Sequence, residues 1–160
     1  MDYLLLKWVH ILSATLMFGT GFGTAFYMFF ASRSGNVQAI AFVSRWVVKA
    51  DTWFTTPAVI IQPITGWLML RAGGFSFTLE NLQNAYWVGI SLALYAMAGA
   101  CWLPVVWLQL KMRDMAQIAA AEQKPLPALY WRYEKIWTIL GFPAFIGLLV
   151  VYWLMVHKGW

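Results

Sequence analysis

Four stretches of this sequence run without a single Asp, Glu, Lys or Arg. They cover 25 residues between Lys7 and Arg33, 19 between Asp51 and Arg71, 30 between Glu80 and Lys111, and 22 between Lys135 and Lys158. A bilayer core about 30 Å thick takes roughly 20 mainly apolar residues per helical crossing. The runs therefore predict four membrane spans, at about residues 4–30, 53–70, 86–110 and 136–156. Composition excludes the soluble alternative. Of the 160 residues, 62% are hydrophobic and 11% charged, against roughly 25% charged in an average soluble domain, and so small a globule cannot hide that much apolar surface. Strands of a membrane barrel alternate apolar and polar residues over about ten positions, which the stretch 139–155 does not do. The first run exceeds the apolar core of a signal peptide, and Ser32-Arg33-Ser34-Gly35 is a poor processing site. The expected fold is all-α, a polytopic membrane four-helix bundle that forms one domain over residues 1–160.

Orientation follows from the basic residues of the connections. Arg33, Arg45 and Lys49 fall in the first, and Lys111, Arg113, Lys124, Arg132 and Lys135 in the third; the opposite side has only Lys7, Arg71 and Lys158. The first and third connections are thus expected in the cytoplasm of a bacterial inner membrane, with both termini outside. The net charge of +5 is then a topological signal, and no basic cluster interleaved with aromatic residues suggests nucleic acid. Trp8, Trp53, Trp131, Trp153 and Trp160 lie near predicted span ends, where such rings gather at the lipid interface. The segment 36–50 has helical spacing, which fits an interfacial helix or a straight extension of the second span. A helical segment at 112–122 precedes the break at Pro125-Leu126-Pro127. Pro57 and Pro63 predict a deformed second helix. Gly19 and Gly23 predict tight helix packing.

Polar side chains within lipid ask for partners. The first span offers His10. The second offers a stripe of Asp51, Thr55, Gln62 and Thr65/Gly66 on one helical face, and the third a stripe of Trp87, Ser91, Tyr95 and Trp102. The fourth ends with Met155 and His157, and Met69 closes the second. Histidine and methionine are axial ligands of b- and c-type haem and suit Cu(I). Asp51 is read as a helix N-cap or as the partner of Arg45, Lys49 or a basic residue of the third connection.

The segments Lys7-Trp8-Val9-His10-Ile11-Leu12-Ser13-Ala14, Phe54-Thr55-Thr56-Pro57-Ala58, Gln62-Pro63-Ile64-Thr65-Gly66, Cys101-Trp102-Leu103-Pro104 and Leu154-Met155-Val156-His157-Lys158 resemble a bacterial family of small four-helix membrane proteins of unknown function. More distantly, Lys7-x-x-His10 and the Pro57-Ala58 to Gly66 spacing are similar to the HemJ-type protoporphyrinogen oxidase and to the membrane domain of CopD copper-resistance proteins. That likeness implies a haem-associated histidine at His10. It does not extend to the third-span lysine of the oxidase, since residues 81–110 contain none.

The resulting expectation is a cytochrome-like protein that binds haem b through His10 and transfers electrons with a quinone or a membrane redox partner. His157, Met155 and Met69 are the candidate second ligands, and Gln62, Tyr95 and Arg71 are candidates to hydrogen-bond a propionate or substrate. Two other readings stand beside it. One is Cu(I) handling with His10 as the metal ligand, aided by Met69 and Met155. The other is a cofactor-free accessory subunit docking on a larger complex, with homo-oligomer contacts open to any of the helices.

Overall fold

The computed structural model describes residues 2–157, and every regular element among them is helical. The order is α1 (Tyr3–Arg33), α2 (Val37–Ala50), a π-helical turn (Asp51–Thr55), α3 (Thr56–Ala72), α4 (Leu79–Asn84), α5 (Tyr86–Ala121) and α6 (Ala128–His157). Three of these, α1, α5 and α6, are long and apolar enough to cross a membrane. The expected second span corresponds to the π turn and the 17 residues of α3. Lys158 and Trp160 lie outside the described residues.

Local chemistry sets the boundaries. The Asp2 carboxylate accepts from the Leu4 N–H at 3.1 Å and opens α1. Gly35, at φ +66°, turns the chain. The Asn36 side chain then caps α2 by accepting from the Ala39 N–H at 3.1 Å. No break separates α2 from α3. Residues 37–72 form one continuous helix with a π turn inside it, so the amphipathic first connection extends the second span rather than lying apart from it. The turn has a cause. Pro57 brings no N–H for the Trp53 carbonyl, and the helix widens so that the Thr56 N–H reaches back to the Asp51 carbonyl.

Pro63 has a different effect. It leaves the carbonyl four residues earlier, that of Val59, without its helical donor. The Tyr95 hydroxyl, coming from α5, donates to that oxygen at 2.6 Å. Tyr95→Phe should therefore lower stability by about 1 kcal/mol, the scale of hydrogen bonds between membrane helices. In a Pro63→Ala background, where the backbone regains its donor, the cost should largely disappear. A double-mutant cycle of unfolding in detergent measures the difference.

The bundle has two unlike halves. Around the first and third connections, α2 packs on α5, and Met28, Ile40, Val47, Leu108, Met112, Tyr130 and Trp137 make a dense core. Ser32 and Tyr130 share a buried hydrogen bond of 2.9 Å there. At roughly 1.5 Å per residue, α5 runs for about 54 Å, well past a 30 Å bilayer core, and this packed end accommodates the excess. Beyond it the helices separate into two antiparallel pairs, α1 with α3 and α5 with α6. No Cα of α3 comes within 8 Å of α5. The expected tight packing at Gly19 and Gly23 is not found: a Cβ at either position would meet nothing within 4 Å. The close approaches fall at Gly66, against His10, and at Gly147, against Met97.

Candidate functional site

Two polar features punctuate the apolar bundle, and the second-span stripe supplies both. Its Asp51, Thr55 and Thr65 are buried and Gln62 half-buried. The upper part of the stripe meets His10. In the antiparallel register of α1 and α3, the His10 ring lies between Thr65 and Gln62, with Nδ1 2.9 Å from Thr65 Oγ1 and Nε2 3.0 Å from Gln62 Nε2. An amide nitrogen only donates, so Nε2 is the acceptor and the proton sits on Nδ1, which donates to Thr65. The Thr65 hydroxyl passes its own proton to the Ile61 carbonyl at 2.8 Å. Ser13 donates to Gln62 Oε1. The circuit is closed with a neutral imidazole. Gly66 makes room for it, because a Cβ there would lie 3.2 Å from His10 Cε1. Gly66→Val should push the ring off Thr65 and cost on the order of 1–3 kcal/mol, as overpacking does. Thermal unfolding of the purified variant measures this.

The other proposed ligands do not join His10. Helix register places His157 at nearly the same height as His10, since Phe18 of α1 packs on both Phe145 and Tyr152 of α6. The His157 ring, however, stacks on Trp153 at 3.5 Å, with Nδ1 3.1 Å from the Trp153 carbonyl. Met155 is half-buried on α6, and Met69 is half-buried one turn beyond Thr65. Arg71 is exposed and lies over the Trp67 ring. Tyr95 is committed to the Val59 carbonyl. No group of three or more His, Cys, Asp and Glu occurs among the described residues.

The lower part of the stripe faces a cavity of about 440 Å³ between the two helix pairs. Its walls are aromatic. Phe18, Phe22 and Phe145 stack on one another with centroids 5.2–6.4 Å apart, and Trp102 and Tyr95 face them from α5. Its polar groups gather at the packed end: Asp51 and Thr55 from the π turn, Gln109 from α5, Trp137 and Thr138 from α6. Thr55 donates to Asp51 Oδ1 at 2.8 Å, and Gln109, also buried, lines the cavity with them. The Asp51 side chain neither caps a helix N-terminus nor joins an ion pair among the described residues. The helix is continuous there and offers no free N–H groups, and no basic side chain pairs with Asp51 among the described residues. Two further polar atoms, Trp137 Nε1 and Thr138 Oγ1, are buried without a partner.

The cavity opens sideways. Phe22, Phe26 and Phe142 line it and are 52%, 49% and 63% exposed. These residues sit on α1 and α6, which are long and apolar enough to cross a membrane. His10 is not among the lining residues. Sequence reasoning found Asp51, Thr55, Tyr95 and Trp102 but did not join them to Gln109, Trp137 and Thr138. Gln109 stands alone as an amide at the end of the long third uncharged run, and that isolation was a usable signal. Nothing in the local sequence marks Trp137 or Thr138.

Over residues 4–159 the chain matches a family described as "Predicted integral membrane protein (DUF2269)". The chain belongs to this family. No curated protein and no solved structure matches it, and the more distant likeness to the oxidase and the copper-resistance domain gains no support from these comparisons. Membership of DUF2269 agrees with the apolar helices of a predicted integral membrane protein.

Proposed function

We propose that the protein binds a lipid-soluble, ring-bearing molecule inside the membrane, taking it up sideways from the bilayer into the cavity between its helix pairs. α3 serves as a fourth crossing beside α1, α5 and α6, and the basic packed end faces the cytoplasm. The observation that carries this reading is the aromatic cavity with its apolar lateral mouth. A volume of about 440 Å³ falls in the usual range for small-molecule sites, roughly 300–1,000 Å³. Flat aromatic walls favour offset stacking with a ring, and a lipid-facing mouth admits only what partitions into hydrocarbon. Organic extraction of the purified protein, followed by mass spectrometry, should recover a ring-bearing lipid enriched over the bulk membrane extract. Recovery of membrane phospholipid in bulk proportions alone overturns the reading.

His10 favours a second reading, haem b held by its imidazole for electron transfer. The Nδ1–H to Thr65 bond is the kind of outer contact that orients a ligating histidine, and Nε2 is its unprotonated nitrogen. The Gln62 amide must leave Nε2 for that atom to coordinate iron. The reduced-minus-oxidised spectrum decides it: a b-type α-band lost in His10→Ala supports haem, and a colourless protein removes it. Copper lacks comparable support, because no hydrogen bond or ring contact ties Met69 or Met155 to His10 among the described residues.

A further inference from the structure

We infer that the packed end carries a belt of cations that gathers anionic phospholipid around the bundle. The inference is independent of the cavity and its occupant, and rests only on the long apolar helices crossing a bilayer. Six exposed basic residues make the belt: Arg33 on α1, Arg45 and Lys49 on α2, Lys111 on α5, and Arg132 and Lys135 on α6. Contacts between helices set them at a common height. Gln117 donates to the Ala41 carbonyl across α5 and α2, Trp107 packs on Tyr133 across α5 and α6, and Ser32 meets Tyr130 across α1 and α6. Counted from these ties at about 1.5 Å per residue, the six Cα atoms fall within roughly 12 Å along the bundle axis. Lys135 then stands about 33 Å along α6 from His157 at its far end, close to the thickness of a bilayer core, about 30 Å.

The charge of this belt is uncompensated. Of the acidic residues at that end, Asp114 and Glu122 are already paired, with Arg113 at 2.7 Å and Lys124 at 2.8 Å. Asp51 and Glu134 are buried. No exposed carboxylate is left for the six cations among the described residues. At the other end, by contrast, exposed Asp2 and Glu80 match exposed Lys7 and Arg71 in number. The imbalance sets the sign of the headgroup: a phosphate finds cations, while the ammonium of a zwitterionic headgroup finds no carboxylate. Lipid, rather than a soluble acidic partner, is the occupant because the cations sit among rings. Arg33 lies over Phe29 at 4.7 Å, Lys49 over Trp46 at 4.6 Å and Lys111 over Trp107 at 5.9 Å. Trp46 and Trp107 are themselves half-exposed, as indoles are at the border between headgroups and acyl chains. Long basic side chains folded against them hold their charge at that depth.

Electron spin resonance of the full chain in phosphatidylcholine vesicles tests this, with spin-labelled phosphatidylglycerol and spin-labelled phosphatidylcholine as probes in separate samples. The motionally restricted fraction measures which lipid borders the protein while it exchanges with the bulk. One basic residue near the membrane surface favours an anionic lipid by about fivefold. Averaged with an indifferent opposite leaflet, wild type should favour phosphatidylglycerol about threefold at low salt. The preference should vanish near 1 M salt, where screening acts within about 3 Å. Lys49→Gln with Lys111→Gln, and separately Arg132→Gln with Lys135→Gln, should each lower it to about twofold, and the four together should abolish it. Lys7→Gln with Arg71→Gln removes as much charge from the other end and should leave the preference unchanged. All these side chains are exposed, and unaltered helicity and phosphatidylcholine contact report an intact fold. Equal contact with both probes in wild type, a preference that survives both belt pairs, or one lost equally in the Lys7, Arg71 variant overturns the belt.

Discussion

Gly99→Leu combined with Gly141→Leu should empty the cavity of ligand while leaving the fold intact. Both glycines line it, one on α5 and one on α6, and a Cβ at either position would meet nothing within 4 Å. Two isobutyl groups projecting from the α5–α6 pair therefore fill space that no protein atom occupies. Each replacement also favours the helix, since glycine is about 0.8–1 kcal/mol worse than alanine in a helix interior and leucine is close to alanine. Loss of function with no loss of stability is an unusual combination, because most substitutions destabilise. Extracted ring-bearing lipid should fall to below roughly a tenth of the wild-type amount if site occupancy is what retains it, and the thermal unfolding midpoint should stay level or rise. Extraction by solvent and a melting curve in detergent supply both readings.

His10→Leu should destabilise the fold about as much as Gly66→Val. The imidazole ties α1 to α3 at both ring nitrogens. Its removal leaves the Gln62 amide N–H facing an alkyl group while Gln62 Oε1 stays with Ser13. Interhelical side-chain hydrogen bonds in membranes average about 0.6 kcal/mol and reach about 1.7, so two of them, together with the misfit of a leucine against Gly66, give a loss of about 1–3 kcal/mol. Retention of the cavity ligand should not change, because His10 does not line that space. The pair of outcomes separates the two polar features. If haem sits on His10, the same substitution also bleaches the b-type band.

The elements were legible in the sequence because charge exclusion from lipid acts residue by residue. The third span and α5 begin together at Tyr86, and the break at Pro125-Leu126-Pro127 falls just before α6 starts at Ala128. The polar stripe of the second span was also readable, since helical spacing alone puts Asp51, Thr55, Gln62 and Thr65 on one face. What each residue of the stripe touches depends on the neighbouring helices. Register against α1 assigns Gln62 and Thr65 to His10, and the separation of α3 from α5 opens the space before Asp51. A stripe of small residues at Gly19 and Gly23 signalled close packing, yet a Cβ at either position would meet nothing within 4 Å; the spacing permits an approach without requiring one. Tyr95 was read as a candidate to hydrogen-bond a propionate or substrate; it lines the cavity and donates to the Val59 carbonyl. The missing donor at Pro63 explains its actual partner, and that link crosses 32 positions and two helices, which no local pattern encodes.

The most direct measurement is a native mass spectrum of the protein released from lipid discs made from the membrane in which it was expressed. The account predicts a single adduct of low mass, bound one to one, present on the wild-type chain and missing from the Gly99→Leu, Gly141→Leu variant. A wild-type chain that flies only at its bare mass, or an adduct that persists unchanged in the filled variant, contradicts it.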